Sequence, residues 1–459
     1  MTEQYTFRDG RLAHSAFDCA CGRRHELPID EIVVRPGALD EVVPVVKRLA
    51  MGTKCVLVSD ANTREVAGAR VEADLATAGF DVRRCFFATR DGVKPDEKAI
   101  GELMLAMDGD TDFLVVAGSG CLTDLTRFVA SRTGVPFVSV ATAPSMDGYA
   151  SSGAPMTHHG HKRTIYCGAP RAIIADVDVL AAAPQPMIAS GFSDTIGKLT
   201  SRIDWELSAI QRDEYYCPFF VERVNEGVEQ AVSVAPGLQA REPDAIRTLT
   251  ESLVISGIAM LLVGNSRPAS GSEHSLSHYW EMKAAVDRRR EFFHGTKVGV
   301  ATAVVAAFNE RFFARDPSSV NVDAVLAQRL SLEAWEGRLR SSLGEVADGI
   351  IREVTRSQYL SDDALRAEVE GLVARWHDIA ALGSRSPSFD EVIRVQREAG
   401  APLYPSAIDV SPEYLRETLL NAKEMRSRYT VLRAAESLGW LEELADEVVE
   451  RVSAADPGA

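Results

Sequence analysis

Residues 112–124 read DFLVVAGSGCLTD, and this stretch decides the fold of the first part of the chain. The apolar run from Asp112 to Ala117 is typical of a buried β-strand, and Gly118-Ser119-Gly120 leads into a helix predicted over Leu122 to Arg132. Glycines let a backbone approach a pyrophosphate, and a helix N-terminus offers unpaired N–H donors. A G-x-G without a third glycine also occurs in plain strand–helix turns. The stretch therefore predicts a strand–turn–helix unit that is a candidate phosphate cradle.

Strand and helix patterns alternate on both sides of this unit. The strand patterns cover residues 31–35, 54–59, 80–87, 136–140 and 172–176, and helical patterns cover residues 38–50, 61–78 and 96–107. Such alternation predicts a mainly parallel sheet covered by helices. Asp60, at the end of one strand, has two interpretations. It could accept a hydrogen bond from an adenosine ribose hydroxyl, or it could cap the helix that starts at Ala61.

Strand patterns vanish after about Pro184, and long amphipathic patterns continue to the end of the chain, for example over residues 244–262, 324–343 and 415–428. Two prolines in Ala183-Pro184-Gln185-Pro186 would interrupt any continuous element there. We therefore predict an α/β nucleotide-binding domain over residues 1–183 and an all-α metal- and substrate-binding domain over residues 184–459.

Composition limits the function classes. The chain has 459 residues, 46% of them hydrophobic, and a formal net charge of -16. This charge disfavours nucleic acid and anionic membranes as partners, because both favour basic faces. The longest apolar stretches, residues 253–263 and 298–308, are too short to span a bilayer. Seven scattered cysteines and no export signal at the N-terminus predict a reduced, cytoplasmic protein.

Three residues in the second half have settings typical of metal ligands: Asp194, His274 and His294. Asp194 follows Gly191-Phe192-Ser193, where we expect a small-residue turn to enter a helix. One carboxylate and two imidazoles suit a borderline divalent metal and leave a position open for a substrate oxygen. His278 stands four residues after His274, hence on the same helical face. The spacing is not that of a metalloprotease.

Two other clusters compete as metal sites. The first, His158-His159-Gly160-His161, cannot easily place three imidazoles around one ion, and we interpret it as a surface turn. The second, Cys19-Ala20-Cys21-Gly22 with His25, supplies only three ligands and has no second C-x-x-C pair. We interpret it as a structural segment.

Four segments together resemble the sn-glycerol-1-phosphate dehydrogenases, within the superfamily of dehydroquinate synthases, glycerol dehydrogenases and iron alcohol dehydrogenases. They are GSGCLTD at 118–124, TAPSMDGYAS at 142–151, Asp194 followed by Gly197-Lys198, and GSEH at 271–274 with His278. The resemblance runs from about Cys19 to the segment 428–432 and is nearest to the bacterial branch. The helical region between residues 315 and 388 is longer than in typical members, and Cys121 stands where the family usually has threonine.

The resemblance implies roles for individual residues. The metal ligands would be Asp194, His274 and His294. Asp147 and His278 would contact the substrate, with Asp194 nearby. The implied cofactor contacts are Asp60, Gly118, Ser119, Gly120, Cys121, Leu122, Thr142, Ser145 and Ser151. Iron alcohol dehydrogenases have a histidine where this chain has Lys198, so the resemblance favours zinc or nickel over iron. Dehydroquinate synthases have glutamate at the Asp194 position, which disfavours their reaction.

The expected activity is hydride transfer between NAD(P)H and dihydroxyacetone phosphate, giving sn-glycerol 1-phosphate. A divalent metal would act as Lewis acid on the C2 oxygen, and the nicotinamide would supply the hydride. Candidates for balancing the phosphate charge are Lys162, Arg163, Lys198 and Arg202. A homo-oligomer is expected. Three alternatives stay open: a dehydrogenase of another polyol or its phosphate, a cyclase like the dehydroquinate synthases, and a catalytically silent nucleotide-binding homologue.

Overall fold

The computed structural model describes residues 4–158 and 161–459. Its described residues form two compact units. The first contains the chain up to Thr195 together with Phe219–Ser266, and the second contains Ile196–Pro218 together with Arg267–Ala459. The predicted domain boundary near residue 184 stays a prediction. Packing adds that the helical segment 219–266 belongs with the α/β unit.

The first unit is built on an eight-stranded sheet. Its strands are β1 (Thr6–Arg8), β2 (Arg11–Ala13), β5 (Glu31–Arg35), β6 (Lys54–Asp60), β7 (Asp81–Phe87), β8 (Phe113–Gly118), β9 (Phe137–Ala141) and β12 (Ala172–Asp176). They are arranged in the order β1-β2-β5-β12-β9-β8-β6-β7. The six strands from β5 to β7 in this order are mutually parallel, and β1 and β2 add an antiparallel edge. Two short hairpins are separate: β3 (Phe17–Asp18) with β4 (Arg24–His25), and β10 (Gly153–His158) with β11 (His161–Tyr166).

Helices cover both faces of this sheet. In β8, Phe113 and Val115 join one apolar cluster, whereas Leu114 and Val116 join the cluster on the opposite face. Strands buried on both faces are near-continuous apolar runs, which is why the sequence predicts them well. The helices of this unit are α1 (Val42–Arg48), α2 (Ala61–Thr63), α3 (Ala69–Thr77), α4 (Glu97–Ala106), α5 (Gly120–Thr133), α6 (Val177–Ala181), α7 (Gln185–Ile196), α9 (Pro218–Ser233), α10 (Ala235–Gln239) and α11 (Pro243–Val263), with one π-helical turn at Arg64–Gly68 and 3₁₀ turns at Ala38–Glu41 and Gly148–Ala150.

In the second unit, the regular secondary structure of the described residues is entirely helical. Its helices are α8 (Lys198–Arg212), α12 (Ser272–Asp287), α13 (His294–Phe313), α14 (Val322–Gln328), α15 (Leu332–Leu343), α16 (Ala347–Ile350), α17 (Arg356–Gln358), α18 (Asp362–Ala374), α19 (Trp376–Ala381), α20 (Phe389–Glu398), α21 (Pro412–Asn421), α22 (Val431–Ser437) and α23 (Leu441–Ala455). Short 3₁₀ turns lie at Pro317–Ser319, Gly344–Val346, Leu382–Arg385, Pro405–Ile408 and Ala422–Met425, and a π-helical turn at Ile351–Thr355. The α/β first part followed by helices agrees with the predicted fold class.

Three local predictions differ from the structure, and one hairpin is absent from the predictions. The helical pattern over 324–343 is two helices, because the chain turns extended at Arg329 and Ser331 caps the second one. The pattern over 415–428 ends its α-helix at Asn421. Asp194 lies within α7, not in a turn that enters a helix. The hairpin β10–β11 was not predicted. It brackets the histidine cluster, whose residues 159 and 160 lie outside the described part of the chain.

Helix α11 is the one candidate membrane span among the described residues, by length and composition. In its most apolar window, 72% of the residues are buried inside the structure. A core helix passes the same test, and α11 packs in the first unit as such a helix does.

Candidate functional site

The strand order creates a crevice at the carboxyl ends of β6 and β8. The chain passes from β6 outward to β7, then returns to β8 on the other side of β6, and continues in the opposite direction to β9 and β12. In open α/β sheets, ligands bind where the order reverses in this way. Asp60 is the last residue of β6 and Gly118 is the last residue of β8. The structure thus brings two predicted cofactor residues to the switch point.

Helix α5 begins directly at this edge. Gly118 ends the strand, Ser119 is the extended N-cap residue and its side chain makes no capping bond, and Gly120 is the first helical residue. A Cβ on Gly118 would lie 2.7 Å from that of Leu122, so only glycine fits there. Cys121 is exposed and Leu122 is buried. Small residues at the N-terminus of this 14-residue helix let an anionic group approach the N–H donors of its first turn.

Asp60 is a helix cap in the structure. Its Oδ1 accepts the N–H of Thr63 at 2.8 Å, and the Thr63 hydroxyl accepts the Asp60 N–H at 3.0 Å. This reciprocal pair is a capping box at the start of α2. One of the two alternatives predicted for Asp60 is therefore present, and its Oδ2 stays compatible with the other.

Arg127 of α5 fixes the loop 142–153 through hydrogen bonds to its backbone. This fully buried guanidinium donates to the carbonyl oxygens of Gly148, Tyr149 and Gly153 at 2.6, 2.9 and 3.1 Å, and to Asp124 at 2.8 Å. Tyr149 donates its hydroxyl to the carbonyl of Ala143 at 2.8 Å. The loop that carries Thr142, Ser145, Asp147 and Ser151 is therefore a fixed support, with Thr142, Ser145 and Ser151 buried within it.

Asp194 is bonded to this loop within the first unit. Its Oδ2 accepts the backbone N–H of Asp147 at 3.1 Å, and the side chain is fully buried. Asp147 accepts the Ser256 hydroxyl of α11 at 2.9 Å. Helix α7 approaches so closely that a Cβ on Gly191 would lie 1.8 Å from the Pro144 carbonyl oxygen. Two predicted carboxylates are thus set side by side by glycine packing and backbone hydrogen bonding.

In the second unit, His274 lies in the first turn of α12 and is oriented by its neighbour Glu273. The His274 Nδ1 is 2.8 Å from Glu273 Oε1, which leaves Nε2 for a ligand. Glu273 is fully buried and also accepts the Gly271 N–H at 2.6 Å and the Thr200 hydroxyl at 2.8 Å. Burial raises the pKa of Glu273, and these hydrogen bonds act against that rise.

His294, the first residue of α13, is oriented in the same way by Glu281. Its Nδ1 is 3.1 Å from Glu281 Oε1, and Lys297 Nζ is 3.2 Å from the same oxygen. The ring centroids of His274 and His294 are 5.2 Å apart, and their ligand nitrogens lie within 4.8 Å of each other. Metal-binding imidazoles commonly donate their second nitrogen to a carboxylate. The pair therefore fits the nitrogen part of a divalent-metal site.

His278 lies one turn after His274 and between two charges. Its Nε2 is 3.0 Å from an Arg426 amino group, and its Nδ1 is 3.4 Å from Glu281 Oε2. Since a guanidinium only donates, Nε2 accepts and the ring proton is on Nδ1. Burial, and next the positive Arg426, lower the pKa of His278 well below its ordinary value. His278 is thus a neutral imidazole within 5.8 Å of the His294 ring centroid.

The four basic residues that are candidates for binding the substrate phosphate differ in their surroundings. Lys198 is buried at the start of α8, and Arg202 donates to the carbonyl of Arg385 at 2.8 Å. Arg163 is exposed on β11. The side chain of Lys162 lies outside the described part of the structure. Sequence reasoning missed Arg426, Glu273, Glu281 and Arg127. A glutamate directly before His274 and another at i+3 from His278 were the available signals for two of them.

The chain is similar in sequence to known dehydrogenases. A family model for iron-containing alcohol dehydrogenases matches residues 33–184. A glycerol-1-phosphate dehydrogenase (NAD(P)+) of Bacillus licheniformis is 32% identical over 92% of this chain and 93% of its own length. The protein of the same name from Bacillus subtilis is 38% identical over 66% of this chain and 76% of its own. That of Methanosarcina barkeri is 33% identical over 61% and 76%.

Solved structures agree on the fold. A glycerol dehydrogenase from Schizosaccharomyces pombe superimposes with a TM-score of 0.57 at 15% identity, covering 92% of this chain and 91% of that one. A 1,3-propanediol oxidoreductase gives a TM-score of 0.58 at 16% identity, covering 90% and 97%. These likenesses concern architecture alone, whereas the identity to the Bacillus licheniformis enzyme spans nearly both whole chains. The chain belongs to the glycerol-1-phosphate dehydrogenase (NAD(P)+) family.

Proposed function

We propose that this protein is a metal-dependent oxidoreductase that interconverts dihydroxyacetone phosphate and sn-glycerol 1-phosphate with NAD(P)H. The observation that carries the proposal is the pair His274 and His294, each oriented by a glutamate carboxylate, in a chain that also has a nucleotide-type switch point. Relatives of that name across nearly the whole chain support the same activity.

For the metal we propose three ligands: Asp194, His274 and His294. Two neutral nitrogens and one carboxylate oxygen suit zinc or nickel, and Lys198 stands where a histidine, as a fourth ligand, would favour iron. Glu273 and Glu281 keep each imidazole in the tautomer whose Nε2 is available. When bound, a divalent cation supplies Lewis-acid stabilisation of the negative charge that develops on the C2 oxygen during reduction.

For the cofactor we propose that its pyrophosphate lies against the N-terminus of α5, at Gly118, Ser119, Gly120, Cys121 and Leu122. The proposal is supported by Gly118, where a Cβ would collide with Leu122, and by the dipole of α5. Asp60 would accept a ribose hydroxyl through Oδ2 while Oδ1 caps α2. Thr142, Ser145 and Ser151 would line the nicotinamide side, and the bound nicotinamide supplies the hydride.

For the substrate we propose contacts from Asp147 and His278, with Asp194 beside Asp147. His278 is neutral, and its Nε2 is an acceptor that a substrate hydroxyl or a water would share with Arg426, which suits it to orient the substrate or to relay a proton. Arg426, 3.0 Å from His278, is an additional candidate for the substrate phosphate beside Lys162, Arg163, Lys198 and Arg202. Arginine matches phosphate with paired N–H donors.

We further propose a cytoplasmic homo-oligomer that has neither nucleic acid nor membrane as partner. The net charge of -16 supports the second part, because both surfaces favour basic proteins. Light scattering of the purified protein tests the oligomer.

The deciding experiment compares two ketones in an NADH oxidation assay on metal-loaded enzyme. We expect dihydroxyacetone phosphate to be reduced with kcat/KM at least about a hundredfold above dihydroxyacetone, roughly 2.7 kcal/mol of transition-state binding. A charge-assisted contact from one basic side chain with backbone donors supplies that much. Equal rates with both ketones would place the chain among the polyol dehydrogenases. No turnover with either ketone would favour the silent homologue.

A further inference from the structure

The N-terminal segment 17–25 folds into a tight hook that presents two thiols and an imidazole together. Strands β3 and β4 pair, the N–H of Cys19 bonds to the Arg23 carbonyl at 2.9 Å, and the N–H of Gly22 bonds to the Cys19 carbonyl at 3.0 Å. Gly22 has a φ of 84°, which favours glycine. Cys21 Sγ lies 3.3 Å from His25 Nε2.

The distances in the hook match the donor spacing of a zinc site. The ligand atoms of Cys19, Cys21 and His25 all lie within 4.8 Å of one another. With zinc–sulfur and zinc–nitrogen bonds of about 2.3 and 2.0 Å, tetrahedral geometry separates sulfur from nitrogen by about 3.6 Å. The 3.3 Å between Cys21 and His25 is close to that value. The hook therefore supplies three of four tetrahedral ligands.

The surroundings of His25 are those of an oriented ligand. The side chain is 1% exposed, and it hydrogen-bonds with the backbone of Leu262. Its ring packs edge-on against Phe220 with centroids 4.9 Å apart, and Phe17 packs against Phe219 at 4.8 Å. A second-sphere hydrogen bond and an apolar shell are what structural metal sites use to fix an imidazole.

A third thiol, which is the fourth candidate ligand, lies next to this aromatic shell in the sequence. Cys217 is fully buried and precedes Phe219 by two residues, at the start of α9. Two residues span at most about 7 Å, so the thiol is tethered within short reach of the phenylalanine that packs on Phe17. The segment 17–25 contains three candidate ligands, and Cys217, which directly precedes α9, is the fourth.

We propose that Cys19, Cys21, His25 and Cys217 bind one structural zinc ion that ties the N-terminal hook to the start of α9. Three thiolates and one imidazole form a closed tetrahedral set of soft and borderline donors, which selects zinc over magnesium or calcium and leaves no position open for a substrate. This site is independent of the proposed dehydrogenase activity. Its expected role is to stabilise the fold, because zinc binding free energy in such sites becomes folding free energy.

The test measures sulfur-bound zinc on the full-length protein. The proposed catalytic ligands contain no sulfur, so sulfur neighbours in X-ray absorption at the zinc edge report this site alone when the catalytic site is loaded with nickel. We expect zinc with three sulfur neighbours at about 2.3 Å and one nitrogen neighbour, and about one equivalent released by a thiol-modifying mercurial. Zinc without sulfur neighbours, or a disulfide between any two of these cysteines in the non-reduced protein, would overturn the proposal.

Variants then assign the fourth ligand. Cys217→Ser should lose this zinc at least about tenfold more readily to a chelator than wild type, and should unfold at lower temperature. Cys167→Ser is the matched control, since Cys167 lies in the loop after β11 and is not one of the four, and it should retain zinc fully. If Cys217→Ser does not fold, His25→Cys keeps four ligands and should show four sulfur neighbours. Full zinc retention in Cys217→Ser would refute the assignment.

Discussion

Adding a single methyl group at Gly191 tests how the carboxylate part of the proposed site is built. The Cβ of an alanine there would lie 1.8 Å from the carbonyl oxygen of Pro144 and 2.8 Å from its carbonyl carbon. Ordinary contact begins at 3.4 Å, so α7 or the loop 142–153 must move by about 1.6 Å. Asp194 is three residues further along α7, and Asp147, whose N–H it accepts, is in the displaced loop. The movement therefore falls on both predicted carboxylates.

The expected size follows from two effects. Overpacking of a well-packed core costs about 1–3 kcal/mol of unfolding free energy. Misplacement of catalytic groups by about 1 Å costs roughly a hundredfold in rate, which is about 2.7 kcal/mol. We therefore expect Gly191→Ala to remain folded, with kcat/KM for dihydroxyacetone phosphate lowered about a hundredfold or more.

Gly101→Ala is the matched control, measured by urea unfolding and by NADH oxidation. Gly101 lies in α4 of the same unit, and a Cβ there meets no atom within 4 Å. The same methyl group should stabilise that helix by about 0.5–1 kcal/mol and leave turnover unchanged. The reasoning would be refuted if Gly191→Ala kept kcat/KM within twofold of wild type and its unfolding free energy within about 0.5 kcal/mol. The position of the loop would then not depend on the close approach of α7.

Three further outcomes are expected. His274→Ala should fold but lose most bound metal and nearly all turnover by metal analysis and assay, since two ligands hold a catalytic ion poorly; normal metal content would contradict this. Asp60→Asn keeps a capping oxygen yet removes the charge, so the NADPH/NADH ratio of kcat/KM should rise; an unchanged ratio would make Asp60 only a cap. Burial raises the pKa of Glu251 from 4.5 to about 7, so the folded state binds its proton more tightly than the unfolded state does and stability is lost as pH rises from about 4.5 through about 7. Glu251→Gln should therefore gain about 1–2 kcal/mol relative to wild type at pH 8 but not at pH 4 in urea unfolding, and an equal difference at both values would contradict the assignment.

Local pattern predicted the central elements well. The predicted strands at residues 31–35 and 172–176 match β5 and β12 residue for residue, because buried parallel strands are short, uninterrupted apolar runs. Strands β1 and β2 have only three residues each, and β11 begins with four polar residues, 161–164, so none of them has a sustained period-two pattern. Pairing with neighbouring strands defines them, and pattern alone missed them. The long pattern over 324–343 concealed a break for a related reason: periodicity continues across residues 329–331 although the backbone turns extended.

The sequence by itself determined which donors this protein possesses and the class of fold that holds them. Residue types and spacing were enough to single out Asp194, His274, His294 and the glycine turn at 118–120. Only the tertiary structure decided the strand order that makes Asp60 and Gly118 neighbours across a switch point, and the carboxylates that orient each imidazole. It also showed that Arg127 holds the loop 142–153 and that His25 packs beside α9. The physical reason is that propensity and periodicity act over a few residues, whereas these contacts arise when buried surfaces far apart in the chain pack together.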